Sequence, residues 1–243
     1  MLASKLTQSS MCHPAAEVRP APDGNSLAVE VLDTWRCLEL APKLGEFEDS
    51  VFGPDFAMPN DAMDRWAKSG SLFYAAITGQ AVVGRLQIFS LLSVLVTTSQ
   101  CRDELLAGEL LESELDPWTA ETSGSAPALY LASVISASSE HLALMYDSVG
   151  RELQEFKTAH GAHFQGGCGI ASGPAGYSHL FRNGFRSIEG QSYLGHYPLM
   201  SIDAESAATP FWQQLLRKDN IPAVEDAPAR PPLAVLPTVA YAS

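Results

Sequence analysis

Residues able to accept a proton near neutral pH are concentrated in the second half of the chain. Candidates for a general base there are His141, His163, His179, His196 and Glu140. A general base works best when its pKa is close to the working pH, a condition that histidine meets without help from its surroundings. We assign the role to His196 and Glu140, although a histidine in a strand is more often simply packed or solvated.

Ser138 and Ser139 stand where a predicted helix begins, and this arrangement suits an anion. The first amides of a helix have no partner inside the helix, and two hydroxyl groups add further donors. Glu140 follows directly and would oppose a negative ligand. The alternative is that the two serines only cap the helix. Both interpretations stay open on these residues alone.

Predicted strands and helices alternate around these residues. Apolar runs of strand length are found at residues 26–32, 71–77, 81–96, 128–136, 163–172, 185–188 and 193–202. Helical spacing or helix caps are found from Asp33, from Asp61, and at residues 101–118, 141–160 and 174–183. Thr78-Gly79-Gln80 is the predicted turn between the second and third strands. The pattern predicts an α/β fold of the mixed α+β kind, in which helices flank a mixed sheet.

The long helix predicted at 141–160 has one apolar face. The residues that form this face are Leu142, Met145, Val149, Leu153 and Phe156. Their spacing is helical, so they should lie together on the sheet while the polar positions face solvent. Gly161 is the predicted end of this helix, and Gly184 the end of the next.

Residues 100–126 are predicted to be an insertion that carries an acidic helix. Between positions 101 and 118 there are six acidic residues against Arg102 alone, and leucines recur at helical spacing. This pattern places the leucines on the core and the carboxylates in water. An acidic surface of this kind favours a basic partner.

The overall charge excludes some classes of partner. The chain of 243 residues has a formal net charge of −13 and only 15 basic residues. Proteins that hold nucleic acid or anionic membranes neutralise phosphates with Lys and Arg, so we expect neither partner. The four cysteines form no CxxC pair, so no metal site is predicted. No secretory signal is recognised, and we expect a cytoplasmic protein.

The domain boundaries follow from proline content. Residues 1–24 and 219–243 contain several prolines and no periodic apolar pattern. Proline removes backbone donors and interrupts helices, so we predict a flexible lead-in and a flexible tail. A single domain is expected at 25–218.

The order of elements ends in a short helix closed by Gly184-Phe185. Strand, two helices, hairpin, strand, long helix, strand, short helix and two closing strands follow one another. LeuPheArgAsnGlyPhe at 180–185 stands where such proteins carry a Leu-Tyr-x-x-x-Gly-Phe pattern. Over residues 26–202 the chain resembles the GNAT superfamily of N-acyltransferases.

The resemblance implies a cofactor site. The sheet would be splayed between its fourth and fifth strands, and acetyl-CoA or a longer acyl-CoA would lie in the gap. The pantetheine arm would pair with the backbone of residues 131–136, and the pyrophosphate would lie on the amides at the start of the next helix. The residues implied as cofactor-binding are Leu131, Ser133, Val134, Ser136, Ser138, Ser139, His141 and Phe181.

The resemblance also implies a proton donor on the short helix. Many such enzymes use a tyrosine there to protonate the departing thiolate. Phe181 is the nearest equivalent in position and has no proton to donate, so Tyr177, one helical turn earlier, is the candidate general acid. The alternative is a half-buried tyrosine whose hydroxyl is satisfied within the fold.

Two functions remain open. The first is acyl transfer from acyl-CoA or acyl carrier protein to a primary amine, carried by a small molecule or a basic peptide or protein. The second is a non-catalytic GNAT-like binding or regulatory module. Residues 136–143 favour the second, because they contain neither glycine nor a basic residue where the family's phosphate loop has them.

Overall fold

A computed structural model describes residues 29–53, 56, 59–80, 86–119 and 125–217. The predicted lead-in at 1–24 and the predicted tail at 219–243 lie outside the described residues, so both stay predictions. Within the described part, seven strands form one sheet in the order β1-β2-β3-β4-β5-β7-β6. They are β1 Val29–Leu32, β2 Leu72–Gln80, β3 Leu86–Thr98, β4 Pro127–Ile135, β5 Gly167–Ile170, β6 Arg186–Tyr193 and β7 Tyr197–Ile202.

Helices lie on both faces of this sheet. They are α1 Thr34–Glu39, α2 Ala41–Phe52, α3 Asn60–Ser69, α4 Ser99–Leu106, α5 Ser139–His160, α6 Pro174–Asn183 and α7 Pro210–Leu216, with a short 3-10 turn at Glu112–Glu114. The β4–β5 pair is parallel and the other neighbours are antiparallel. The predicted mixed α/β class is therefore confirmed. In the described ranges no helix is long and apolar enough to cross a membrane.

Two apolar clusters, one on each face of the sheet, form the core. Side chains alternate along a strand, so Leu129 and Leu131 of β4 enter one cluster and Tyr130 enters the other. Helices α5, α6 and α7 contribute to the first cluster, and α1 to α4 contribute to the second. We call the side of the sheet covered by α5, α6 and α7 the α5 face, and the side covered by α1 to α4 the α2 face. A site with residues from both faces must lie where the sheet is open.

Helix α5 is the element that the sequence predicted best. Ser138 caps it, because its hydroxyl oxygen accepts a hydrogen bond from the His141 amide at 3.1 Å. The helix ends at Gly161 in the left-handed conformation, as predicted. The predicted apolar face is confirmed: four of its members are buried and Leu142 packs against the same cluster.

The sheet opens between β4 and β5. The two strands pair only from Leu129 to Leu131, against residues 167–169. Beyond Leu131, β4 continues to Ile135 beside β3, while β5 ends at Ile170. Among the described residues, no strand pairs with the second edge of β4 after Leu131. The divergence predicted between the fourth and fifth strands is therefore present.

A β-bulge lies where the two strands diverge. Val94 of β3 pairs with Leu131, and the preceding Ser93 pairs with Ser133, so Ala132 is an extra residue on β4. A bulge changes the direction of the side chains that follow it. Ser133 is in this way turned towards α2, where its hydroxyl hydrogen-bonds Glu48.

The predicted turn Thr78-Gly79-Gln80 is wrong. β2 runs through these residues to Gln80, and Gly79 pairs with Val29 on one side and Gln87 on the other. Pairing with two neighbouring strands outweighs the local turn preference of a single glycine. The connection to β3 falls within residues 81–85, which lie outside the described residues.

The acidic helix predicted over residues 101–118 is also wrong in length. Helix α4 ends at Leu106, and Gly108 has a φ of 74°, which stops the helix. Glu112, predicted to face water, is buried in the 3-10 turn instead. The helical spacing of the leucines arises by chance across a turn, and only part of this acidic segment is exposed.

Two further differences between prediction and structure lie near the ends of the described region. The helix predicted from Asp33 is two helices, α1 and α2, separated at Leu40, and Trp35 is 55% exposed on α1. Helix α7 was not predicted. Its residues Trp212, Leu215 and Leu216 are buried against the α5 face, so this short segment completes the core after the last strand.

Gly184→Ala should destabilise the protein by about 3 kcal/mol, because Gly184 has a φ of 103° and an added Cβ would stand 2.7 Å from the Ala208 nitrogen. Gly190→Ala is the matched control: its φ is 76° and nothing lies within 4 Å of the added carbon, so it should cost only about 1 kcal/mol. Urea unfolding of both variants measures the difference. Equal losses would show that the contact with residues 206–208 is not what requires glycine.

Candidate functional site

A cavity of about 1040 Å³ lies in the opening between β4 and β5. Its walls come from both faces of the sheet. β4 contributes residues 131–136, β5 contributes Ile170, and α6 contributes Ala175, Gly176, His179 and Leu180. Across the sheet, α2, α3 and Phe56 close the cavity. A ligand could therefore enter along β4 and reach side chains of the opposite face.

Four of the residues predicted to bind a cofactor line this cavity. They are Leu131, Ser133, Val134 and Ser136, all on β4 or directly after it. Leu131 is the last residue of β4 that pairs with β5, and the other three follow it along the edge that has no strand beside it among the described residues. An unpaired strand edge presents amide and carbonyl groups to whatever lies next to it. The assignment of these residues to a cofactor stays a prediction.

The other predicted cofactor residues are not among the lining residues described. Ser138 and Ser139 stand at the start of α5, where the Ser138 hydroxyl already accepts from the His141 amide. The His141 ring is held on β3, because its Nδ1 lies 2.9 Å from the Ser90 hydroxyl. Phe181 is 53% exposed on α6. The structure therefore does not bring these four into the cavity.

The three predicted catalytic residues lie in three different parts of the fold. Glu140 is exposed in the first turn of α5, and His196 is exposed in the β6–β7 turn, where its ring lies 4.1 Å from that of Tyr197. Tyr177 is 37% exposed and stacks on Phe181. Among the lining residues that the structure describes, none of these three is found.

Glu48 is the ionisable group that the structure places beside the opening. It belongs to α2, lines the cavity, and accepts a hydrogen bond from the hydroxyl of Ser133 on β4. Burial raises the pKa of the Glu48 carboxyl from 4.5 to about 7, although the Ser133 hydrogen bond acts in the opposite direction. A carboxyl with this pKa exchanges its proton near neutral pH, as a general base must.

A second buried carboxyl, Glu112, lines the same cavity. Burial raises its pKa to about 7, against the effect of a hydrogen bond from the Tyr130 hydroxyl, and the charge of Glu48 raises it further. Tyr74 of β2 belongs to the apolar cluster on the same face, and its pKa is raised by burial and by the charge of Glu48. Two carboxyls and two phenols thus share the α2 side of the cavity.

His179 is the ionisable residue that α6 contributes to the lining. Its Nε2 lies 2.8 Å from the Tyr146 hydroxyl and 3.3 Å from Asn183 Nδ2. Burial, together with the nearby charge of Arg182, lowers the pKa of this histidine. The side chain is therefore neutral at physiological pH and acts as a hydrogen-bonding group rather than as a cation.

Comparison with known proteins gave no match. Neither a protein-family model, nor a curated protein, nor a solved structure is significantly similar to this chain. What this site does must therefore be argued from its own geometry and charge.

The carboxyl groups of the described cavity lining have no cationic counterpart there. That lining contains five acidic residues, Glu46, Glu48, Asp49, Asp64 and Glu112, and no Lys or Arg. Aromatic side chains of Phe52, Phe56 and Trp66 complete the wall on this side. Acidic and aromatic groups together favour a cationic ligand with an apolar body.

Glu112→Gln should stabilise the protein at pH 8 by about 1–3 kcal/mol and change it little at pH 5. The native state keeps the Glu112 proton up to about pH 7, whereas the unfolded chain loses it near 4.5. Wild-type stability therefore falls as the pH rises through 7, and glutamine removes that loss. Urea unfolding at both pH values tests this, with the exposed Glu109→Gln as control. A similar pH response in both variants would contradict the burial of the Glu112 charge.

Proposed function

We propose that the chain is an acyltransferase that moves an acyl group from a thioester to a primary amine. The observation that carries the proposal is the cavity at the point where β4 and β5 diverge, with the Glu48 carboxyl beside the free edge of β4. This arrangement supports a donor along β4 and a base on the α2 side of the same opening.

The donor is a thioester of coenzyme A or of an acyl carrier protein. Both carry a pantetheine arm, which contains amide groups. Such an arm can pair with a strand edge in the way that an added peptide strand does. The edge from Ala132 to Ile135 supplies that surface, and the cavity volume of about 1040 Å³ leaves room for an acyl chain.

The base is Glu48. A primary amine arrives as an ammonium ion and must lose a proton before its nitrogen can attack the thioester carbonyl. In the reaction the C–N bond forms, the C–S bond breaks, and Glu48 receives the ammonium proton. The sulfur leaves as a thiolate, which is a stable anion close to neutral pH and takes up, directly or through water, the second proton that the nitrogen releases as the amide forms. Ser133 orients the base from β4.

Calorimetry and thermal unfolding with acetyl-CoA, a long-chain acyl-CoA and an acylated carrier protein test this function. A donor at 100 times its dissociation constant should stabilise the native state by about 2.7 kcal/mol. In a protein of this size that corresponds to a rise in melting temperature of roughly 5–10 °C. The absence of any shift with all three donors would contradict the proposal.

A specific observation favours a second candidate, a module that binds a ligand in the cavity but transfers nothing. At the start of α5 the His141 amide already donates a hydrogen bond to the Ser138 hydroxyl, and Glu140 lies next to the remaining amides. A pyrophosphate would meet fewer free donors and one negative charge there. A protein that binds amines but none of the three thioesters would be such a module.

A further inference from the structure

The α2 side of the cavity holds more negative groups than a single amine can neutralise. Glu48 and Glu112 both line it, and the charge of Glu48 adds to burial in raising the pKa of Glu112. A single ammonium ion at Glu48 would leave the Glu112 carboxyl without a positive partner among the described lining residues. Without such a partner, burial holds the Glu112 carboxyl partly in its protonated form, and a second cation would favour the carboxylate.

A second observation at the same place also points to ligand binding. Tyr74 is 2% exposed and lines the cavity, and its two hydrogen bonds with Thr34 use the backbone rather than the hydroxyl. Its ionisation responds to Glu48, so the phenol lies close to that carboxyl. Buried hydroxyl groups in folded proteins are nearly always hydrogen-bonded. A polar group of a ligand between Tyr74 and Glu48 would satisfy it.

The walls between these polar groups are apolar and aromatic. Trp66 of α3 packs edge-on against Tyr130, with ring centroids 6.3 Å apart, and both line the cavity. Leu72 and Met63 line it as well. Such walls suit a hydrocarbon chain, and aromatic faces also attract ammonium groups.

We propose that the acceptor is an aliphatic diamine, held by one ammonium group at Glu48 and by the other at Glu112. This inference rests on the proposed function for the fate of the amine at Glu48, which receives the acyl group. The ammonium at Glu112 is not acylated. It positions the substrate, while the hydrocarbon lies along Trp66 and Leu72 and the Tyr74 hydroxyl accepts from the reactive end.

The test measures amine binding without a thioester, by calorimetry at physiological salt. The probes are the straight-chain diamines from diaminopropane to diaminohexane, with butylamine as the matched monoamine. At least one diamine should bind about tenfold or more tightly than butylamine, because a charge-assisted hydrogen bond is added. Binding should release up to about one proton in total at pH 7, since both carboxyls ionise against the ligand.

Two single substitutions test whether the second ammonium group of the diamine binds at Glu112. Glu112→Gln should abolish the preference for diamine, so that diamine and butylamine bind this variant with similar affinity. Glu155→Gln, an exposed carboxylate on α5 away from the cavity lining, should change neither. Equal affinity for diamine and monoamine in the wild type, or an unchanged preference in Glu112→Gln, would overturn the inference.

The outcome is independent of the donor. If acetyl-CoA or another thioester binds and diamines show no preference over butylamine, the diamine site is refuted and acyl transfer stands. If diamines bind as described and no thioester does, the diamine site stands and acyl transfer is refuted.

Discussion

Glu48→Gln should lower the turnover number by roughly 10²–10⁴, the usual effect of losing a general base. Glutamine keeps the size of the side chain and can still accept from the Ser133 hydroxyl, so the fold and the donor site should be retained. What it cannot do is take a proton from the incoming ammonium. The loss should therefore appear in kcat, with donor affinity nearly unchanged.

The pH dependence gives this prediction a second readout. A base acts when it is deprotonated, so kcat/KM of the wild type should rise as the pH increases through about 7, the pKa of Glu48. In Glu48→Gln this rise should disappear. The matched control is Glu155→Gln, which removes an exposed charge from α5 and should leave both turnover and its pH profile as they are. A Glu48→Gln variant with normal turnover would remove Glu48 from the mechanism.

Ala175→Trp should weaken donor binding about 100-fold. Ala175 lines the opening from the α6 side and is exposed, so a large side chain there obstructs the gap without entering the core. Calorimetry with acetyl-CoA measures the loss. Ala159→Trp adds the same side chain at an exposed position of α5 outside the described lining, and it should bind the donor normally. Unimpaired binding by Ala175→Trp would show that the donor does not pass this point.

Diamine binding to the same two variants separates donor from acceptor. The acceptor groups Glu48 and Glu112 lie on the α2 side of the sheet, whereas Ala175 lies on α6. Ala175→Trp should therefore lose the thioester and keep the diamine. Loss of both ligands would indicate that the substituted helix is misfolded, which thermal unfolding of the variant would reveal.

The helices with complete local signals were predictable from the sequence. α5 has all of its signals in one continuous segment: Ser138 caps it, one face is apolar, and Gly161 ends it. α6 begins with Pro174 and ends before Gly184, as predicted. In both cases the information that defines the helix lies inside the helix and its caps.

The candidate site was much less predictable, because its groups come from distant parts of the chain. Glu48 and its partner Ser133 are 85 positions apart. On its own, Glu48 is an acidic residue in a helix that also contains Glu46 and Asp49, a pattern typical of a solvated face. Glu48 differs from Glu46 and Asp49 in its hydrogen bond with Ser133, which the bulge at Ala132 turns towards α2. No local signal in the sequence indicates that bulge.

The place of Glu112 in the site was also not predictable from the sequence, for a different reason. The spacing of leucines around it is helical, which predicted an exposed acidic face. The chain instead turns at Gly108 and again before Leu115, and Arg65 donates to the carbonyl oxygen of Ser113 at 2.7 Å. Contacts with α3 hold the segment against the sheet, and Glu112 is buried as a result. Its role depends on tertiary packing, which periodicity does not report.

Amide hydrogen exchange with and without a saturating thioester tests the central claim most directly. Acetyl-CoA, added without an amine, should slow exchange of peptides that cover residues 131–136 and 170–176, because the donor would occupy the free edge of β4 and the start of α6. Peptides from β2 and from the C-terminal half of α5 should exchange as before. Unchanged exchange at residues 131–136 under conditions where calorimetry shows the thioester bound would contradict a donor site between β4 and β5.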